Sequence, residues 1–257
     1  MTTRREIVTK CGAGLAAIIA AGRAPAALVR SLVGARNILT SAPASTPPTP
    51  PAYWGLCFTA EEPGVVVNMS KAGSPPAVTL ETSRDGVAWT AFDADGGTTP
   101  ITLVNIGDRV YFRAGASGNS QFAIRVGAER TFTLSGLCGA SGNIMSLLSR
   151  QPLVALSSPF AFFHLFYGCT SLTAAPELPA TTLATRCYSN MFSGCTSLAY
   201  IAVKFSSFIG TSYGFLNWVN GVAASGTFRC PTALGTDATI SRGTSACPDG
   251  WTVVNTD

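Results

Sequence analysis

Short runs of β-branched and aromatic residues alternate with turn residues from Tyr53 to about Val126. Seven such runs, each bounded by Gly, Pro, Asp or Asn, cover residues 55–60, 65–69, 77–82, 88–92, 99–104, 109–114 and 121–126. Strands of this length and spacing are typical of an antiparallel β-sandwich. Within them, Ser83-Arg84-Asp85-Gly86 predicts a tight hairpin turn, because Asp-Gly readily adopts positive φ angles. Residues 53–127 are therefore predicted to form a β-sandwich domain.

An internal repeat occupies the second half of the chain. Phe163–Leu172 recurs as Ser189–Leu198, and a weaker third copy follows at Tyr213–Ala224. A single unit of this size cannot bury its apolar face alone, so the copies are expected to stack. Each copy is predicted to carry a short helix, at residues 159–167, 183–192 and 213–219, that leads through a turn into a brief strand. The predicted interior positions are Phe166, Cys169, Leu172, Phe192, Cys195, Leu198 and Trp218.

The amino-acid sequence of these copies resembles that of a known protein family. The segments Met191–Leu198 (MFSGCTSL) and Ala175–Tyr188 resemble BspA-type leucine-rich repeat proteins of gut bacteria and their phages or prophages. The resemblance covers about residues 130–257, including the closing Gly250–Val254 strand. It implies a mainly β fold with short helices, in which an antiparallel β-sandwich is followed by a short leucine-rich-repeat solenoid over residues 128–257, with a C-terminal cap. It also implies surface display and recognition, with no catalytic residues to transfer.

The first fifty residues form a separate segment with two interpretations. Arg4 and Arg5, the apolar run Cys11–Gly22 and Ala24-Pro25-Ala26 have the order of an export signal. The same residues also fit an Ala-rich helix that docks on a partner chain. Residues 1–40 are thus predicted to be an export signal or a docking helix, and the proline-rich residues 41–52 a stiff linker.

Composition and charge exclude several classes of function. The chain is 47% hydrophobic and 12% charged, with 26 Gly and 16 Pro among 257 residues, which favours turn-rich β structure over long helices. Residues 1–36 carry six of the basic residues and one acidic residue, so the remaining chain sums to −1. A neutral body without a cluster of Lys and Arg argues against a nucleic-acid partner. The lone histidine, His164, excludes any zinc site with two histidine ligands.

The cysteines and acidic residues offer few sites. Cys169 and Cys195 take the same place in successive copies and are expected to be reduced interior residues, whereas Cys230 and Cys247 are the one pair whose spacing suits a disulfide. Asp93-Ala94-Asp95-Gly96 lacks the carboxylates that a calcium loop requires, and Ser83–Trp89 is one residue short of a sialidase-type Asp-box. No metal site and no cofactor is predicted.

Three functional hypotheses remain. The first is a non-enzymatic extracellular or cell-surface adhesion protein that binds a host glycan or surface protein. The second is a phage virion protein, a fibre or decoration subunit, that contacts virion or sister subunits through residues 1–40 and is a homotrimer in its fibre form. A glycan hydrolase is the third, disfavoured because no paired carboxylates stand out. The expected binding residues are aromatic side chains off the repeated apolar positions: Tyr53, Trp54, Tyr167, Tyr200 and Tyr213.

Overall fold

Eight short strands build the first part of the described chain. The computed structural model describes residues 55–95, 100–208 and 213–256, all within one compact unit, Thr49–Asp257. The predictions for residues 1–52 and for Tyr53 and Trp54 lie outside the described residues. The strands are β1 (Leu56–Ala60), β2 (Val65–Lys71), β3 (Leu80–Ser83), β4 (Thr90–Phe92), β5 (Ile101–Leu103), β6 (Arg109–Ala114), β7 (Ala123–Arg125) and β8 (Ala128–Leu134).

These strands pair antiparallel in two sheets that pack face to face. One sheet contains the order β1-β6-β3-β4 and the other the order β5-β2-β8-β7. Alternate residues of β2 are buried, as the period of a strand with one covered face requires. The sheets meet through aromatic side chains: the ring of Phe132 on β8 lies 5.0 Å from Phe58 on β1 and 5.2 Å from Phe112 on β6. The predicted boundary at residue 127/128 falls between the paired strands β7 and β8.

The predicted hairpin turn joins β3 to β4. Gly86 has a φ of 74°, and the Asp85 carboxylate accepts hydrogen bonds from the amides of Val87 and Ala88 at 2.8 and 2.9 Å. These bonds hold the pKa of Asp85 below its ordinary value. Trp89, which follows this turn, is half-buried, with the Arg113 guanidinium 3.9 Å from its ring centre.

Parallel strands build the second half of the described chain. They are β9 (Cys138–Ser141), β10 (Leu172–Ala174), β11 (Glu177–Leu178), β12 (Tyr200–Val203), β13 (Thr227–Cys230) and β14 (Thr252–Asn255). β9 pairs antiparallel with β1 and parallel with β10, so the first sheet continues into this half. The last four strands form a separate parallel sheet in the order β11-β12-β13-β14. The mainly β fold predicted from the sequence is confirmed.

The helices predicted within the repeats are absent. The described residues contain only two short 3-10 helices, Ile144–Leu147 and Thr232–Leu234. Residues 159–167, 185–192 and 213–219 instead form consecutive turns, in which every fourth residue is left-handed. The left-handed residues are Phe160, His164 and Gly168 in the first copy, Arg186, Asn190 and Gly194 in the second, and Tyr213, Asn217 and Gly221 in the third.

Hydrogen bonds between copies replace those that a helix would make. The amides of Phe162, His164 and Phe166 donate to the carbonyls of Cys187, Ser189 and Met191 at 2.9, 3.3 and 3.0 Å. The intervening amides close turns within the copy, as Phe163 does to Phe160. Because half of these donors are satisfied by a neighbouring copy, the turns depend on stacking and cannot be stable alone.

The third copy is one residue out of the 26-residue register that relates the first two copies. A shift of 26 residues aligns Gly194 with Asn220, but the residue with the matching left-handed conformation is Gly221. A Cβ atom on Gly221 would lie 3.8 Å from the backbone of Gly194, which places the two glycines in one row. Trp218 nevertheless reaches the ring of Phe192, at 6.1 Å. The longer connection that precedes this copy brings Phe205 and Phe208 against Trp218.

Two columns of aromatic rings connect the first eight strands to the turns. In one, Phe132 stacks on Phe166 at 5.6 Å and Phe166 on Phe192 at 5.5 Å, with interplanar angles of 17° and 9°. In the other, Phe122 stacks on Phe162 and Phe162 on Tyr188, both at 6.2 Å. Phe122 and Phe132 thus take the place of a preceding copy. The core is continuous from the paired sheets to the last turns.

The predicted interior residues are buried, and the two cysteines among them, Cys169 and Cys195, form no disulfide. Cys169 and Cys195 direct their thiols at the carbonyls of Phe132 and Phe166, 2.8 and 3.0 Å away. Burial raises the pKa of Cys169 to about 12. Cys230 and Cys247, the pair whose spacing suits a disulfide, form none with each other, and each thiol lies 3.7 Å from a backbone carbonyl instead. The seven predicted interior residues, Phe166, Cys169, Leu172, Phe192, Cys195, Leu198 and Trp218, are all buried.

Candidate binding face

The structure separates the three described tyrosines that were predicted to bind. Tyr167 and Tyr213 lie on the turns and are 50% and 62% exposed. Tyr200 lies on β12, on the outward face of the parallel sheet, and is half-buried. The three residues therefore do not form one site but lie on two separate surfaces, one on the turns and one on the parallel sheet.

A continuous series of side-chain contacts links Tyr167 to Tyr213. Ring centres are 4.6 Å apart for Tyr167 and His164, 3.9 Å for His164 and Phe163, and 5.4 Å for Phe163 and Phe160. The series then crosses to the second and third copies through Arg186, whose guanidinium carbon lies 5.7 Å from the Phe160 ring and 5.1 Å from the Tyr213 ring. We call these six residues (Phe160, Phe163, His164, Tyr167, Arg186 and Tyr213) the aromatic string.

Left-handed backbone conformations position most of the string. Phe160, Arg186 and Tyr213 are the first left-handed residues of their copies, with φ angles of 57°, 55° and 57°. His164 takes the second such position, where Asn190 and Asn217 follow in the next copies. A left-handed conformation costs a non-glycine residue about 1–2 kcal/mol, and here it is held by hydrogen bonds between copies. The side chains at equivalent positions consequently form rows across the copies.

No acidic side chain pairs with the Arg186 guanidinium in the described chain, and none of its N–H donors makes a hydrogen bond there. Arg113 and Arg150, by contrast, pair with Glu81, and Arg242 pairs with Asp237. The Arg186 side chain makes only the two aromatic contacts, and no hydrogen bond or ion pair joins that side chain to a described residue. A guanidinium beside aromatic rings gains cation–π stabilisation while its five donors stay available.

His164 pairs with an acidic residue of the neighbouring sheet. Its Nδ1 lies 3.3 Å from Oε1 of Glu129 on β8, and both side chains are mostly buried. Burial lowers the pKa of His164 below its ordinary value, and the neighbouring carboxylate opposes that shift. The Oε2 atom of Glu129 has no hydrogen-bond partner. We interpret the pair as an anchor that fixes this end of the string to the sheet.

Tyr200 belongs to a second, smaller surface. With Lys204, Arg229 and Glu177 it lines a cavity of about 120 Å³ on the parallel sheet. The strands present alternate residues outward here, because Ile201 and Phe228 point into the core. This surface combines both signs of charge and has one aromatic residue, so it offers less flat apolar area than the string does.

The acidic loop after β4 is used internally. The carboxylate of Asp95 is paired with Arg130, a side chain that is 1% exposed, and it also lies 3.7 Å from Nζ of Lys71. This hydrogen bond to Arg130 holds the pKa of Asp95 below its ordinary value. In the described ranges, no three His, Cys, Asp or Glu side chains come together as metal ligands.

Sequence inspection missed Phe160, Phe163 and Arg186. Alignment of the copies would have placed Phe160 and Arg186 at one repeat position, but the helical interpretation gave no reason to expect their side chains in contact. No helix in the described part of the chain is long and apolar enough to cross a bilayer. Comparisons with protein-family models, with curated proteins and with solved structures give no match for this chain.

Proposed function

We propose that this chain is a non-enzymatic extracellular binding protein, in which a β-sandwich and a short leucine-rich-repeat solenoid display a surface for a host glycan. The observation that carries the proposal is the aromatic string, which has exposed tyrosines at both ends. Aromatic side chains dominate binding surfaces because they bury large areas at a small cost in conformational entropy. The string is also held in place by backbone bonds between copies, so little ordering is required on binding.

A solenoid is supported by the contacts between copies. Successive copies contribute parallel strands, rows of left-handed residues and aromatic columns, as expected when each unit contacts mainly its neighbours. Such stacking places residues from three copies on one rigid face. A sugar ring requires this kind of surface, because its C–H face packs against a tyrosine while its hydroxyls bond to polar side chains. Asn190 and Asn217, in the row next to Arg186 and Tyr213, provide amides for that purpose.

Replacing Tyr167 and Tyr213 together by Ser is expected to weaken binding to immobilised mucin at least tenfold. Both side chains are half-exposed or more, so the melting temperature is expected to fall by only a few degrees, since a loss of about 1 kcal/mol shifts it by roughly 2–4 °C. Biolayer interferometry on mucin and thermal unfolding are the two measurements.

Tyr200→Ser is the matched control, because it removes a tyrosine from the parallel sheet instead. Binding that survives the double substitution but is lost with Tyr200→Ser would transfer the site to the β12 surface. A wild-type protein that binds neither mucin nor host epithelial cells would contradict the proposed function.

A further inference from the structure

The charge of Arg186 identifies a class of ligand for the aromatic string. The two aromatic residues beside it come from different copies, Phe160 from the first and Tyr213 from the third. This placement restricts the guanidinium without neutralising it. A guanidinium fork matches the geometry of a carboxylate and forms charge-assisted bonds with it that are about twice as strong as neutral ones.

The surroundings favour an acidic sugar over other anions. Nucleic acids and sulfated polymers carry a charge at nearly every unit, and their binding needs several cations in a row. Along the string Arg186 is the one arginine, and His164 is buried beside Glu129 with a lowered pKa. A ligand with one negative charge among many hydroxyls therefore fits better than a polyanion.

Tyr213 and the row formed by Asn190 and Asn217 favour a sugar over an acidic peptide. The Tyr213 ring is 62% exposed and lies beside the guanidinium. Asn190 and Asn217 present amides that both donate to and accept from sugar hydroxyls. An acidic peptide would use the charge of Arg186 but would have less use for the flat tyrosine face.

We propose that Arg186 binds the carboxylate of an acidic glycan, with the adjoining sugar ring packed against Tyr213. This inference rests on the proposed function and specifies the ligand of the same face. Arg186 then determines specificity: it favours glycans that end in a carboxylated sugar over their neutral counterparts.

The test compares one mucin before and after enzymatic removal of its sialic acids. Wild-type protein is expected to bind the sialylated form at least tenfold more tightly, because hydrogen bonds to charged groups contribute more than neutral ones. Arg186→Gln should bind both forms equally, at the level of wild-type protein on desialylated mucin. Arg186→Lys, which keeps the charge without the fork, should retain only part of the preference.

Arg229→Gln is the control, since it removes the same charge from an exposed position on β13. It should leave the preference unchanged, and loss of the preference in this variant would overturn the assignment to Arg186. If wild-type protein binds both mucins equally and only the tyrosine substitutions weaken it, the inference about acidic glycans is wrong and the proposed function stands. If the wild-type protein binds neither mucin nor host epithelial cells, both are wrong.

Discussion

Phe192→Ala is expected to lower the free energy of unfolding by about 3–5 kcal/mol, the cost of emptying a well-packed aromatic site. The Phe192 ring is fully buried, stacked at 5.5 Å on Phe166 and in contact with Trp218 at 6.1 Å. Its removal leaves a cavity in the middle of an aromatic column, where the backbone cannot collapse because the amide of Phe192 is bonded to the carbonyl of Trp218 at 2.8 Å. Urea unfolding at equilibrium measures the loss.

Tyr167→Ala serves as the control for removing an aromatic side chain without opening an interior cavity. Its expected cost is about 1 kcal/mol or less, because half of the ring is already exposed. Equal stability of the Phe192→Ala and wild-type proteins would show that the copies are not packed as described.

Arg130→Met is expected to lower the free energy of unfolding by about 3 kcal/mol. The buried guanidinium donates to the carbonyl of Ala94 at 3.2 Å, to the carbonyl of Pro76 and to the Asp95 carboxylate. Methionine fills a similar volume but leaves these acceptors without their donor, and removing one partner of a buried pair costs about 3–5 kcal/mol. We expect the lower end of this range of costs because Asp95 is 58% exposed, so water can hydrate its carboxylate once the guanidinium is removed.

The pH dependence of this variant tests the same contact. Asp95 has a lower pKa in the folded state than its ordinary value of 3.8, so its ion pair stabilises the protein above that pH. The contribution is lost as the pH falls through the folded-state pKa. The stability difference between wild type and Arg130→Met should therefore shrink in acid.

The control is Arg125→Met, on the exposed part of β7, which should lower the free energy of unfolding by less than about 0.5 kcal/mol. If Arg130→Met costs no more than this, the buried guanidinium is not needed for stability.

Local sequence signals predicted the strands from β1 to β7, but not β8, which lies beyond the predicted sandwich. In β2 the buried residues alternate with partly exposed ones, and in the β3–β4 turn Asp85 and Gly86 have the chemistry that the turn requires. These features depend on neighbours in sequence, so a short window of residues contains them.

The turns and the string depend on contacts between residues far apart in sequence. Phe162 and Phe166, and likewise Tyr188 and Phe192, have the four-residue spacing of a helix face, which made a helix the natural prediction. Their backbone departs from a helix because residues such as Phe160 and His164 are left-handed, a conformation uncommon outside glycine. Bonds to the next copy stabilise it, and nothing within one copy indicates them. The contact of Arg186 with both Phe160 and Tyr213 becomes visible only when three copies are stacked.

We conclude that the paired sheets and the stacked turns form one cooperative structure, in which Phe122 and Phe132 begin the aromatic columns. Native-state hydrogen exchange in Phe132→Ala tests it most directly, because protection reports the free energy of opening at each amide. We expect the amides of β6 and those of Phe166 and Phe192 to lose protection by the same amount, about 3–5 kcal/mol. Loss of protection confined to the sheets, with Phe166 and Phe192 exchanging as in the wild-type protein, would contradict it.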